Sequence, residues 1–116
     1  MQLREKVSGG IVVLSLKGNL ICEPDALKIR ERIYDLVAHQ IKSVVIDLRA
    51  VEHINSCGIG LLVSVLTTLR KANGDLRLAR VSENVQSLLR LTHLTQILNT
   101  FGTVEDAVKS FGVMNR

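Results

Sequence analysis

The chain has 116 residues, 47% of them apolar, with 15 basic against 11 acidic side chains for a net charge of +4. That length suits one domain over residues 1–116, able to bury a core without metal or disulfide staples, and the composition excludes a disordered chain. The mixed-charge start Met1-Gln2-Leu3-Arg4-Glu5-Lys6 is not a secretory signal, and the charge-free run 54–69 falls short of the ~20 apolar residues that span a bilayer, so a cytoplasmic protein without membrane insertion is expected.

The elements follow in chain order. Leu3 to Val7 and Ile11 to Leu16 flank Ser8-Gly9-Gly10 and read as a β-hairpin. Gly18-Asn19 ends the second strand. Pro24 suits a first helical position, and the spacing predicts a helix over 24–39 with Ala26, Ile29, Ile33 and Leu36 inward. Ser43-Val44-Val45-Ile46-Asp47-Leu48 reads as a strand covered on both faces. A helix is predicted from Cys57 to about Asn73, with Ile59, Leu62, Val63, Leu66 and Leu69 inward. Leu76 to Val81 is a strand. Ser82 caps a helix with Val85, Leu88 and Leu89 inward, and Ile97 to Phe101 is a last short strand. Thr103-Val104-Glu105-Asp106 opens a helix to about Phe111. The order β-β-α-β-α-β-α-β-α predicts an α/β fold with a mixed sheet, an N-terminal hairpin and about four helices.

The basic residues Arg70, Lys71, Arg77, Arg80 and Arg90 are dispersed, and the only aromatics are Tyr34, Phe101 and Phe111. Neither a basic stripe nor a stacking platform is present, so no nucleic-acid partner is expected. With only Cys22 and Cys57, a disulfide framework is not expected, and a reducing compartment is.

The informative segment is Ile54-Asn55-Ser56-Cys57-Gly58-Ile59-Gly60. It joins a strand end to a helix start, where free N–H groups and the helix dipole favour an anion. Asn55 and Ser56 are both good caps, and Gly58 and Gly60 permit close helix–sheet packing, so the segment reads equally well as a plain helix start. Gly58-Ile59-Gly60 is followed by Val63 where a dinucleotide fingerprint needs glycine. Cys57 with His53 would make a thiol nucleophile only with a third orienting group, which is missing. Cys22, Cys57, His39, His53 and His93 lack metal-ligand spacing. Asp47 and Glu52 form no acid–base pair, and Asp47 is expected to hold loop N–H groups. No catalytic residue, metal or cofactor is expected. On the 57–73 helix, Gly60, Ser64, Thr67, Thr68 and Lys71, bordered by Leu61 and Val65, form a small polar face beginning beside Ser56. It suits a protein partner, with Leu61, Ser64, Val65, Thr68 and Lys71 as contact candidates.

The ordered set Val44-Val45-Ile46-Asp47-Leu48, Val51, Ile54 to Leu62, Arg70 to Gly74, Leu76-Arg77-Leu78-Ala79, Val85-x-x-Leu88-Leu89 and Phe101 to Ala107 resembles the STAS domain of bacterial anti-sigma factor antagonists. The resemblance implies a partner-switching protein that binds an anti-sigma factor with an ATP-binding kinase fold and so frees the sigma factor. It implies that the kinase phosphorylates a hydroxyl in the family's Asp-Ser-Ser/Thr-Gly motif, and that a phosphatase restores binding. Here Asn55 stands where Asp is usual, and Cys57 replaces the second hydroxyl. Ser56 keeps the first and is the phosphoacceptor candidate, with Asn55, Ser56, Cys57, Gly58 and Gly60 as the regulatory loop and helix start. The two departures leave open a second reading: a STAS interaction module without phosphate control, in a signalling scaffold or beside a lipid transporter.

Overall fold

A computed structural model describes residues 2–19 and 25–114 of the chain. Five strands and four helices follow one another as β1 (Gln2–Ser8), β2 (Ile11–Lys17), α1 (Asp25–Ala38), β3 (Ser43–Ala50), α2 (Ser56–Lys71), β4 (Asp75–Ala79), α3 (Glu83–Leu91), β5 (Asn99–Phe101) and α4 (Val104–Met114). The expected order holds throughout. The expected helix start at Pro24, like Cys22, lies outside the described residues.

The strands form one sheet in the spatial order β1-β2-β3-β4-β5. β1 pairs antiparallel with β2, from Gln2 opposite Lys17 to Ser8 opposite Ile11. Gly9 and Gly10 both adopt positive φ, 57° and 82°, as a type I′ hairpin turn requires. The other three pairings are parallel. Each parallel crossover moves one strand along in the same direction. Right-handed connections therefore put α1, α2 and α3 on one face of the sheet. The terminal helix α4 is free of that rule and covers the other.

The two cores record this difference. On the three-helix face, Val12, Leu14, Val44, Ile46, Leu76 and Leu78 of the sheet meet Ile29 and Ile33 of α1, Leu62 and Leu69 of α2, and Val85 and Leu89 of α3. On the α4 face, the buried cluster among the described residues is the smaller set Val13, Val45, Ala79, Ala107 and Phe111. Arg77 is buried there at 2% exposure. Its guanidinium pairs with Asp75 at 2.5 Å, donates from Nε to Ser110 Oγ at 3.0 Å, and lies 4.5 Å over the Phe111 ring. These contacts tie α4 to the sheet with a satisfied charge.

Two strands are shorter than their sequence patterns suggest. β4 stops at Ala79 because Arg80 turns to φ 55°, and Val81 leaves the ladder. β5 begins at Asn99 because the N–H groups of Ile97 and Leu98 are taken by Leu94 O in a turn. After α2, Gly74 passes so close to Lys42 that a Cβ would collide with its backbone oxygen. Only glycine fits there.

Candidate functional site

The start of α2 sits at the carboxyl end of β3, where open α/β sheets place their sites. Asn55 is extended at φ −103°, and its Oδ1 accepts the Gly58 N–H at 2.9 Å. Its carbonyl accepts the Ile59 N–H at 2.9 Å, the first turn's backbone bond. The cap is therefore a neutral amide oxygen, which adds no negative charge to the helix start. The loop before the cap is held from α3. Ser82 Oγ accepts the Val85 N–H at 3.2 Å and donates to Glu52 O at 3.3 Å.

Ser56 is exposed on the first residue of α2, and its hydroxyl makes no hydrogen bond to any described residue. Gly58 is buried under the helix start. Gly60 is not a packing glycine: it is exposed, and a Cβ there would meet nothing within 4 Å. Of the two glycines read as permitting close packing, Gly58 alone is buried, and Gly60 lies on the polar face where helical spacing also put it. Thr67 and Lys71 continue the exposed stripe, with Ser64 and Thr68 half-buried beside it.

Two expected contact residues lie elsewhere. Leu61 and Val65 are each 1% exposed and belong to the three-helix core. A partner cannot touch them in this fold. The reason is that α2 packs on the sheet while α1 flanks it. Its buried arc, Ile59, Leu61, Leu62, Val65, Leu66 and Leu69, is therefore wider than the ~100° stripe of a helix on one neighbour. Val63, expected inward, is only half-buried at the other edge of that arc.

Cys57 does not carry a free thiol, because it is disulfide-bonded. Two cysteines are not expected to make a disulfide framework, yet this residue is bonded. Cys22, the only other cysteine of the sequence, lies outside the described residues. A Cys57–His53 nucleophile is thereby unsupported, and among the described residues no cluster of His, Cys, Asp or Glu could hold a metal ion.

Asp47, at 5% exposure, does more than hold a loop N–H. Its Oδ1 accepts the Arg49 N–H at 3.2 Å as expected. Arg80 from beyond β4 clasps both oxygens, Nε to Oδ1 at 3.1 Å and Nη2 to Oδ2 at 2.5 Å, and Ser15 Oγ donates to Oδ2 at 3.3 Å. Burial pushes this carboxyl up, but the Arg80 hydrogen bonds, the Arg49 N–H, the Arg80 charge and Ser15 outweigh it and hold it below the ordinary value. Sequence spacing gave no sign of this clasp. Arg80 is 33 residues from Asp47, and only the parallel register of β3 and β4 brings them together.

The STAS domain profile matches residues 2–107. Over 62 residues the chain is 31% identical to a Thermotoga maritima protein provisionally described as an anti-sigma factor antagonist. That match spans 53% of this chain and only about half, 55%, of the relative. Among solved structures, a Thermotoga maritima protein with the same provisional description superposes with a TM-score of 0.83 at 22% identity, over 93% of this chain and 92% of that one. The phosphorylated form of SpoIIAA, a Bacillus cell fate determinant, gives 0.74 at 19% identity over 95% and 99%. A sulfate transporter family protein from Wolinella succinogenes gives 0.74 at 18% identity over 93% and 89%. At these identities the structures carry the fold alone. No helix among the described residues is long and apolar enough to cross a membrane. The five-stranded sheet, the three-helix face and the capped start of α2 fit the profile over nearly the whole length, and the chain belongs to the STAS domain family.

Proposed function

We propose that this STAS domain is a cytoplasmic anti-sigma factor antagonist. It binds an anti-sigma factor of kinase fold through the exposed stripe of α2, frees the sigma factor, and loses that partner when Ser56 is phosphorylated. A phosphatase restores it. The observation that carries the reading is Ser56 itself: an exposed hydroxyl with no partner among the described residues, on a capped helix start and in line with the open space over Gly60. A kinase can reach such a hydroxyl without unfolding anything. A phosphate there adds about −1.5 to −2 charge, which the helix start tolerates and which an acidic or close-fitting partner surface does not. No catalytic role is assigned to the domain itself.

A specific observation favours a second reading, a STAS module that binds without phosphate control. The residue before Gly58 is Cys57, which offers no hydroxyl and is disulfide-bonded. The likeness in fold to a transporter family protein supports the breadth of that alternative. Affinity capture from the native cell, with mass spectrometry of the partner and of the peptide bearing Ser56, separates the two. Recovery of an anti-sigma factor together with a phosphorylated Ser56 pool is expected. Capture of transporter or scaffold subunits, with Ser56 unmodified throughout, would overturn the first reading in favour of the second.

A further inference from the structure

On the α4 face of the sheet, coverage is incomplete. α4 packs against β3, β4 and β5, and no described helix covers the carboxyl half of β2 and the start of β1 beside it. Gln2, Arg4, Ser15, Lys17 and Asp47 share this face through their cross-strand pairs, and past a register shift between β2 and β3 Arg49 follows at the strand end. Together with Arg80 they line a cavity of about 230 Å³ at the carboxyl ends of the parallel strands.

The charges in the cavity do not cancel. Its one carboxylate, Asp47, is committed to Arg80 on both oxygens. Arg4, Lys17 and Arg49 form no side-chain ion pair with any described residue. Three cations thus line a concave surface on which no described residue offers a further anion. Arg80 is held by its Nε and Nη2, which fixes the guanidinium at the wall. Its backbone adopts φ 55°, a conformation that side-chain-bearing residues rarely hold and that concentrates at functional sites. The cavity has no aromatic lining for a base, and it is smaller than the roughly 300–1,000 Å³ of sites for drug-sized molecules.

We propose that this cavity binds a small, multiply charged phosphate compound of the diphosphate class, held by Arg4, Lys17 and Arg49 beside the Asp47–Arg80 clasp. The site is on the sheet face opposite α2 and is independent of the Ser56 switch. Charge-assisted hydrogen bonds supply the affinity, so binding weakens with added salt.

The test is isothermal titration of the full chain with inorganic pyrophosphate, at low and at physiological ionic strength. One-site binding is expected, tighter than for orthophosphate. Lys17→Ala and Arg49→Ala should each weaken it by about tenfold, the usual scale for losing a charge-assisted bond. Lys28→Glu, an exposed change on α1, should leave it unchanged. Circular dichroism melts of the same variants report folding, so a loss of binding in a folded variant counts for the site. Absence of binding at millimolar pyrophosphate overturns the proposal. So does binding that Lys17→Ala and Arg49→Ala leave intact, or that Lys28→Glu weakens equally. A nucleoside diphosphate binding far more tightly than pyrophosphate would overturn the assigned ligand class.

Discussion

The two sides of α2 are built from one continuous sequence and do different work. The inner side is an arc of Ile59, Leu61, Leu62, Val65, Leu66 and Leu69 wedged between the sheet and α1, every residue 8% exposed or less. The outer side is Ser56, Gly60, Thr67 and Lys71, small or polar and largely in solvent. Substitutions on the inner side should act through stability and only secondarily through binding. Substitutions on the outer side should do the reverse. A helix that separated these effects poorly would be a poor switch, because a phosphate at Ser56 would then also threaten the fold.

The largest expected effect breaks the inner side. Leu62→Ala should lose about 2–5 kcal/mol in urea denaturation, since it removes a fully buried side chain from the centre of the arc. Next comes the clasp that braces the strand ends beneath the site. Arg80→Ala leaves the buried Asp47 carboxylate without its cation and should cost about 2 kcal/mol at neutral pH, less than a fully buried pair because Arg80 is partly exposed. The sign with pH follows from Asp47. In the intact protein its folded value is below the ordinary 3.8, so its stabilisation is whole above 3.8 and declines as pH falls through the lower folded value. In Arg80→Ala, burial is opposed only by the Arg49 N–H and Ser15, so that value rises above its level in the intact protein and acid relieves the variant. The stability gap between the two proteins should therefore narrow in denaturation series taken towards pH 3.

Smaller again, Asn55→Ala removes the cap and should lower stability by about 1 kcal/mol, readable as a shift in thermal midpoint. The smallest expected stability change is on the outer side. Gly60→Arg fills open space on an exposed helical position and should leave the midpoint unchanged or slightly raised, since glycine is the poorer helix former by up to ~1 kcal/mol. Partner binding, measured by surface plasmon resonance, should nevertheless fall at least tenfold. A Gly60→Arg protein that binds normally would move the docking surface off α2.

Much of this arrangement was legible in the sequence. The inward set of α1, Ala26, Ile29, Ile33 and Leu36, appears in the structure residue for residue, because a helix against one sheet obeys simple periodicity. The caps at Ser82 and Thr103 were equally plain, being local chemistry, while Asn55 and Ser56 both suited the start of α2 and the structure uses Asn55. Leu61 and Val65 were not, since nothing within the 57–73 segment announces that α1 will lie along its flank. The Asp47–Arg80 clasp and the uncovered part of the α4 face were hidden for the same reason: both depend on which strands become neighbours. The disulfide at Cys57 was hidden too, since spacing along a chain does not record which side chains meet in the fold.

The most direct test of the account is the affinity of the anti-sigma factor, recovered by capture, for three versions of this protein. Wild type and Ser56→Ala should bind alike, and Ser56→Asp, with unchanged thermal stability, should bind at least tenfold more weakly. Equal affinity for all three would contradict the claim that the exposed side of α2 is a docking surface switched at Ser56.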